Sequence, residues 1–126
     1  MYDHKPLISI ITVVLNGEKH LASTIKSVVN QTYKNLEYII IDGGSTDGTL
    51  DIIKEHQSKI DYWISEKDKG ISDAFNKGVK AAKGDYLNFQ GDGDGFICNS
   101  ALENVFDEID SQKDILISTR VQRVDI

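Results

Sequence analysis

Two carboxylates, Asp92 and Asp94, stand one residue apart in the run Gly84-Asp-Tyr-Leu-Asn-Phe-Gln-Gly-Asp-Gly-Asp-Gly-Phe96. The alternation with glycine predicts an irregular loop, because glycine lets a backbone turn sharply and approach a ligand closely. On such a loop both side chains can turn toward one cation. Oxygen donors of this kind suit Mg2+, Mn2+ or Ca2+ and not zinc. Two alternatives compete. The run Asp-Gly-Asp-Gly-Phe-Ile resembles the middle of a calcium-binding EF-hand loop, which needs an oxygen ligand two residues before Asp92 and a bidentate Glu at its end. Gln90 and Ala101 occupy those places, and an apolar strand-like run precedes the loop where an EF-hand has a helix. The other alternative is an acidic turn with no ligand at all.

The elements that must position this loop alternate strand and helix. Residues 7–15 are a nearly continuous β-branched and apolar run, as in a strand covered on both faces of a parallel sheet. Asn16-Gly17 ends it. Leu21, Ile25, Val28 and Val29 give one apolar stripe on a helix within 18–31. A second strand at 36–41 leads into Asp42-Gly-Gly-Ser-Thr-Asp-Gly48, with Ser45 or Asp47 as N-cap of a helix over 49–57. A short strand at 61–65, the loop Glu66-Lys-Asp-Lys-Gly70 and a helix with the stripe Ile71, Ala74, Phe75, Gly78, Val79, Ala82 follow. Gly84 stands where a helix C-cap belongs, and a fourth strand covers 85–90. Leu102, Val105, Phe106 and Ile109 mark another helix, and 114–119 reads as a fifth strand. This order predicts a parallel α/β sheet with right-handed crossovers, which binds ligands beyond the carboxyl ends of its strands. Asn16 to Glu18, Asp42 to Gly44, Glu66 to Gly70 and Asp92 to Gly95 all fall at those ends. Four loops far apart in sequence are therefore expected to share one rim. There the metal would hold a diphosphate, and the other loops would build the pocket for the rest of a nucleotide.

Composition bounds this reading. A chain of 126 residues, 40% hydrophobic, suits one domain with a real core. The formal net charge of −6 argues against a nucleic-acid partner. It also means that a phosphate needs a local cation or a helix N-terminus. No apolar run reaches the ~18–20 residues of a membrane span. The polar start, Met1 to Pro6, reads as no signal peptide, and a cytoplasmic location is expected. The single cysteine, Cys98, reads as a small apolar filler. His4, His20 and His56 have no metal-ligating or triad spacing, and neither Gly-x-Gly-x-x-Gly nor a Walker sequence occurs.

Other rim residues carry two readings each. Asp42 can accept a hydrogen bond from a base ring N–H or a ribose hydroxyl, or serve as a turn-former beside two glycines. Ser45, Thr46 and Asp47 favour capping. Asp68 can reach a nucleotide or sugar and Lys69 a phosphate, while Glu66 and Asp68 can equally favour a helix dipole.

Five runs together resemble family 2 glycosyltransferases: Ile8 to Asn16, Ser27-Val-Val-Asn-Gln-Thr-Tyr33, Ile40-Ile-Asp-Gly-Gly-Ser-Thr-Asp-Gly-Thr49, Ser65-Glu-Lys-Asp-Lys-Gly-Ile-Ser-Asp-Ala-Phe-Asn-Lys-Gly78 and Gly84 to Phe89. The resemblance covers nearly the whole chain in order. It implies a GT-A fold: a Rossmann-like three-layer α/β sandwich with a mainly parallel sheet, here truncated on the C-terminal side. Residues 1–126 would form a single, incomplete nucleotide-sugar-binding domain. The implied activity is inverting transfer of a sugar from a UDP- or GDP-linked donor to an acceptor hydroxyl on a saccharide or lipid-linked molecule, assisted by Mn2+ or Mg2+. By position, Leu15, Asn16 and Glu18 match the loop bordering the base, Asp42 the acidic residue at the base, Asp68 the acidic residue after the third strand, and Asp94 the last Asp of the metal motif. The family more often has an aromatic at Leu15 and acidic or amide residues at Gly91 and Gly93. The catalytic base is expected beyond Ile126, since Glu103, Asp107 and Glu108 read as a solvated helix face. Self-association through an incomplete surface is a further expectation, as is work at the inner face of a membrane. The alternatives are a non-catalytic nucleotide- or metal-binding fragment and a nucleotidyltransferase, for which Asn16-Gly-Glu-Lys19 only weakly imitates the required loop.

Overall fold

The structure, a computed structural model, describes residues 6–96 and 98–107. Four parallel strands, β1 (Ile8–Val14), β2 (Leu36–Asp42), β3 (Tyr62–Ser65) and β4 (Tyr86–Phe89), lie in the order β3-β2-β1-β4. The helices are α1 (Leu21–Val29), α2 (Thr49–Glu55), α3 (Ile71–Ala81) and α4 (Ala101–Asp107). Among the described residues no helix is long and apolar enough to cross a membrane. The expected strand at 114–119 lies outside the described residues, as do Ile109 and the side chains of Val105 and Phe106.

The apolar runs are continuous because both faces of the sheet are covered. Ile8, Ile10, Val14, Tyr38 and Ile40 pack with Leu21, Ile25 and Val28 of α1, Ile53 of α2, Phe96 and Leu102. Ile11, Val13, Ile39, Ile41 and Phe89 face Ala74, Phe75 and Val79 of α3. The alternation predicts this parallel α/β sheet, and the three-layer sandwich is the one that the resemblance implies. α3 lies so close that a β-carbon on Gly78 would stand 2.5 Å from Ile11 Cγ2. The first layer buries a polar pair, with Tyr38 Oη and Thr12 Oγ1 2.8 Å apart. Burial pushes the Tyr38 phenol far above its usual range, and the bond to Thr12 offsets this in part.

Three local expectations are corrected. Asp47 and Ser45 do not cap α2, whose N-cap residue is Gly48. Asp47 sits one residue earlier and accepts the Thr49 N–H at 2.9 Å. Gly84 is not the C-cap of α3, which is Ala82. It is a point of close approach, where a β-carbon would stand 2.5 Å from Ser9 Oγ. Cys98 is exposed and fills no core.

Candidate functional site

Because every strand runs the same way, the loops after β1, β2, β3 and β4 emerge at one edge of the sheet. Direct contacts tie them together. Asn16, in the left-handed region at φ 53, donates its N–H to Ser45 Oγ at 2.8 Å and accepts the Thr46 N–H at Oδ1 at 2.8 Å. Gly17 N–H donates to Thr49 Oγ1 at 2.9 Å, and Glu18 N–H to Asp47 Oδ2 at 3.3 Å. The first and second loops thus form one surface.

Asp42 binds the second loop to the third. It ends β2 with its side chain fully buried. Its Oδ2 accepts the N–H groups of Gly44 and Ser45 at 3.1 and 2.9 Å and the Ser65 hydroxyl at 2.7 Å. Oδ1 accepts the Ser45 hydroxyl at 2.5 Å. A buried carboxylate must find such donors, and these come from its own turn and from β3. The turn-forming role is therefore present in full. Asp68 lies against the same corner. Its Oδ1 accepts the Gly70 N–H at 3.0 Å, and a β-carbon on Gly43 would stand 2.6 Å from its Oδ2. The exposed Lys69 donates its backbone N–H to Asp73 Oδ2 at 2.9 Å. That bond holds the Asp73 carboxyl below its usual range, with Lys77 adding to the effect. Lys77 itself is raised, first by its hydrogen bond to Glu66 at 3.0 Å.

The fourth loop is a β-turn. Asp94 N–H donates to the Gly91 carbonyl at 3.0 Å, and Gly93, third in the turn, has φ 91. A type II turn requires glycine at this place, so Gly93 answers to the backbone. Asp94 Oδ2 accepts the Gly91 N–H at 3.0 Å, and the residue is exposed. Asp92 turns toward the first loop, where a β-carbon on Gly17 would stand 2.6 Å from its Oδ2. Among the described residues no group of three or more His, Cys, Asp or Glu side chains gathers as a metal cluster. Leu15 and Glu18 are exposed at the same rim, Leu15 at 57%, and Glu18 Oε2 would lie 2.9 Å from a β-carbon on Gly48.

The rim thus brings Leu15, Asn16, Glu18, Asp42, Asp68, Lys69, Asp92 and Asp94 to one edge. The carboxylates of Asp92 and Asp68 sit against glycines of other loops. Sequence reasoning missed Thr24 and Ser27 of α1 and Gln31 just past its end, which bind the backbone after β4. Their signal was position: Thr24 and Gln31 fall in phase with the buried stripe of Leu21, Ile25 and Val28. On α4, Glu103 is half-buried and accepts the Thr32 hydroxyl at 2.8 Å, so it is no simple solvated residue. The side chains of Asp107 and Glu108 lie outside the described residues.

The backbone of this parallel sheet and its rim matches that of solved structures. Over 77% of its length the chain superposes with a TM-score of 0.70 on S. aureus TarS, at 24% identity and covering 30% of that chain. The mannosyltransferase PcManGT from Pyrobaculum calidifontis, in complex with GDP-Man and Mn2+, matches 81% of this chain and 32% of its own, with a TM-score of 0.73 and 20% identity. These likenesses establish the GT-A fold. The model of glycosyl transferase family 2 matches residues 9–125, and the chain belongs to that family. An uncharacterized glycosyltransferase of Haemophilus influenzae is 42% identical over 101 residues, 78% of this chain and 40% of its own length. Chondroitin synthase of Escherichia coli is 38% identical over 115 residues, 90% of this chain and 16% of the synthase. The chain therefore spans less than half the length of these relatives.

Proposed function

We propose that residues 1–126 form one domain, the donor-binding half of an inverting glycosyltransferase that transfers a sugar from a UDP- or GDP-linked donor to an acceptor hydroxyl. The observation that carries this reading is the rim, where the loops after β1, β2 and β3 are tied by direct bonds into one surface and the loop after β4 sets the Asp92 carboxylate against Gly17 of the first. Leu15, Asn16 and Glu18 border the nucleotide base. Asp42 braces the corner at which the base N–H is read, and Asp68 and Lys69 face the ribose and phosphates. Asp92 and Asp94 hold Mn2+ or Mg2+. The donor set fits such an ion: both ligands are hard carboxylates, Asp94 is exposed, and an ion of this type takes one or two carboxylates and completes its shell with phosphate oxygens and water. When bound, the cation neutralises charge on the departing diphosphate. This also resolves the net charge of −6, since the anionic donor meets the acidic rim through the metal. The mannosyltransferase bound to GDP-Man and Mn2+ supports the pairing of nucleotide and metal on this fold.

The carboxylate that takes the acceptor proton belongs beyond Ile126 on this reading. Contacts to a saccharide or lipid-linked acceptor, work at the inner membrane face and self-association of this chain through an incomplete surface are further parts of this reading. A second reading, a nucleotide- and metal-binding module without catalysis, is favoured by Gly91 and Gly93 in the acidic turn.

Calorimetric titration with UDP and GDP, each with and without Mn2+, tests the proposal. The expected result is metal-dependent binding of one nucleotide, abolished in Asp94→Ala while the far-UV and thermal signatures of the fold persist. Absence of binding by a folded sample, or unchanged affinity in Asp94→Ala, overturns the metal assignment.

A further inference from the structure

Thr24, Ser27 and Gln31 lie at i, i+3 and i+7 along α1 and its end, so they share one face. Thr24 and Gln31 are fully buried and Ser27 is half-buried. Buried polar groups cost stability unless they are paired, and these three find partners in a single stretch of chain. Thr24 Oγ1 accepts the Gly93 N–H at 3.0 Å and donates to the Asp94 carbonyl at 2.6 Å. Ser27 Oγ accepts the Phe96 N–H at 3.3 Å and donates to the Thr24 carbonyl at 2.8 Å. Gln31 Nε2 donates to the Cys98 carbonyl at 2.8 Å, and its Oε1 accepts the Leu102 N–H at 3.1 Å. The contact is close, for a β-carbon on Gly95 would stand 3.1 Å from Ser27 Oγ. The described residues between β4 and α4 belong to no strand or helix. Side chains of α1 thus satisfy backbone groups that a ladder would otherwise serve.

We propose that Thr24 is a positioning residue for the acidic loop, with Ser27 and Gln31 anchoring the chain behind it. One hydroxyl grips the backbone on both sides of the Gly93–Asp94 peptide, and so fixes the direction from which the Asp94 carboxylate is presented. Only a group that accepts an N–H and donates to a carbonyl does both. Serine retains that capacity, and valine, of nearly the same shape, has neither half of it. The inference rests on the reading of Asp94 as a cation ligand. Loss of the groups that orient a metal ligand typically costs about 10–100-fold in metal affinity.

The test compares the parent chain, Thr24→Val, Thr24→Ser and Asp94→Ala. Three quantities are measured: the Mn2+ concentration that half-saturates UDP or GDP binding, the affinity for metal-free uridine or guanosine, and the thermal midpoint without ligand. Thr24→Val is expected to raise the Mn2+ requirement about tenfold or more with nucleoside affinity unchanged, and Thr24→Ser to return it toward the parent. A Thr24→Val protein that is folded, with lowered thermal midpoint and unaltered Mn2+ requirement, overturns the positioning role and leaves a structural one. A parent chain that shows no metal-dependent binding overturns the ligand reading itself, and this inference with it. Should Thr24→Val not fold, Ser27→Ala carries the same comparison from a half-buried position, where an unaltered Mn2+ requirement again refutes the proposal.

Discussion

Removing the buried Asp42 carboxylate would take the acceptor from the N–H groups of Gly44 and Ser45 and the hydroxyls of Ser45 and Ser65; Gly44 is exposed and can turn to water, whereas the two serines are half-buried. Buried donors left unpaired cost about 1–3 kcal/mol each. Asp42→Ala is therefore expected to lower stability by about 3 kcal/mol, read as a lower urea midpoint with unchanged slope. Its nucleoside affinity should fall too. Ser65→Ala, which removes one donor and keeps the carboxylate, should lose stability and retain most of the affinity. Equal affinity in Asp42→Ala and the parent would take Asp42 out of the site. Asp47 gives a prediction in pH. The Thr49 hydroxyl donating to it holds its carboxyl below the usual range. A carboxyl depressed in the folded state stabilises above its unfolded pKa, and that contribution is lost as pH falls through the folded value. The second loop should accordingly loosen only in acid below about pH 4. Thr49→Val should move the Asp47 carboxyl resonance back toward the ordinary carboxylate range, as NMR titration would register. At this scale the sequence was legible in where its residues would stand, as with Asp42 at the end of β2 and Asp94 on the loop after β4. It was not legible where partners decide: nothing local tells that Ser65 serves Asp42, or that Thr24 faces a loop 70 residues away.

Among the elements, α3 lies close against the sheet, and Gly78 permits the approach. Alanine is favoured over glycine inside a helix by about 1 kcal/mol, so propensity alone predicts that Gly78→Ala stabilises. The contact with Ile11 opposes this, because the new methyl would lie 2.5 Å from Cγ2 of a side chain at the centre of the sheet. Overpacking in a closed core costs about 1–3 kcal/mol, and it wins. Gly78→Ala should melt earlier than the parent, and a raised melting temperature would show that α3 can shift outward. The elements themselves were legible because β1 and β2 are rich in β-branched residues, β3 and β4 are short aromatic and apolar runs, and α1 and α3 carry apolar stripes. Their ends were less so. The expected helix over 18–31 shrinks to Leu21–Val29, since Asn16 takes a left-handed turn and Gly17 and Glu18 spend their N–H groups on the second loop. A helix end is set by competition for donors across loops, and spacing within one segment carries no trace of it.

For the whole molecule, the strand order decides what must come together over what distance. β1 lies between β2 and β4. Its contact with β2 spans 28 residues at Ser9 and Glu37, and its junction with β4 spans 78 at Leu7 and Asp85, the residues just before the two strands. Loop closure costs more for the longer span, and β4 offers only four residues of pairing in return. The expected order of assembly is β1 with β2, α1 and α3 first and β4 last. Phe89→Ala should then speed unfolding with little change in folding rate, whereas Ile39→Val should slow folding. Equal effects of both on the folding rate would refute that order. The acidic turn is carried on the far end of β4, so it takes shape only after the rest of the sheet exists. A cation held there cannot guide the chain through its folding barrier and acts on the finished molecule alone. Mn2+ should therefore work as a latch, lengthening the lifetime of the native protein while leaving untouched the time it needs to form.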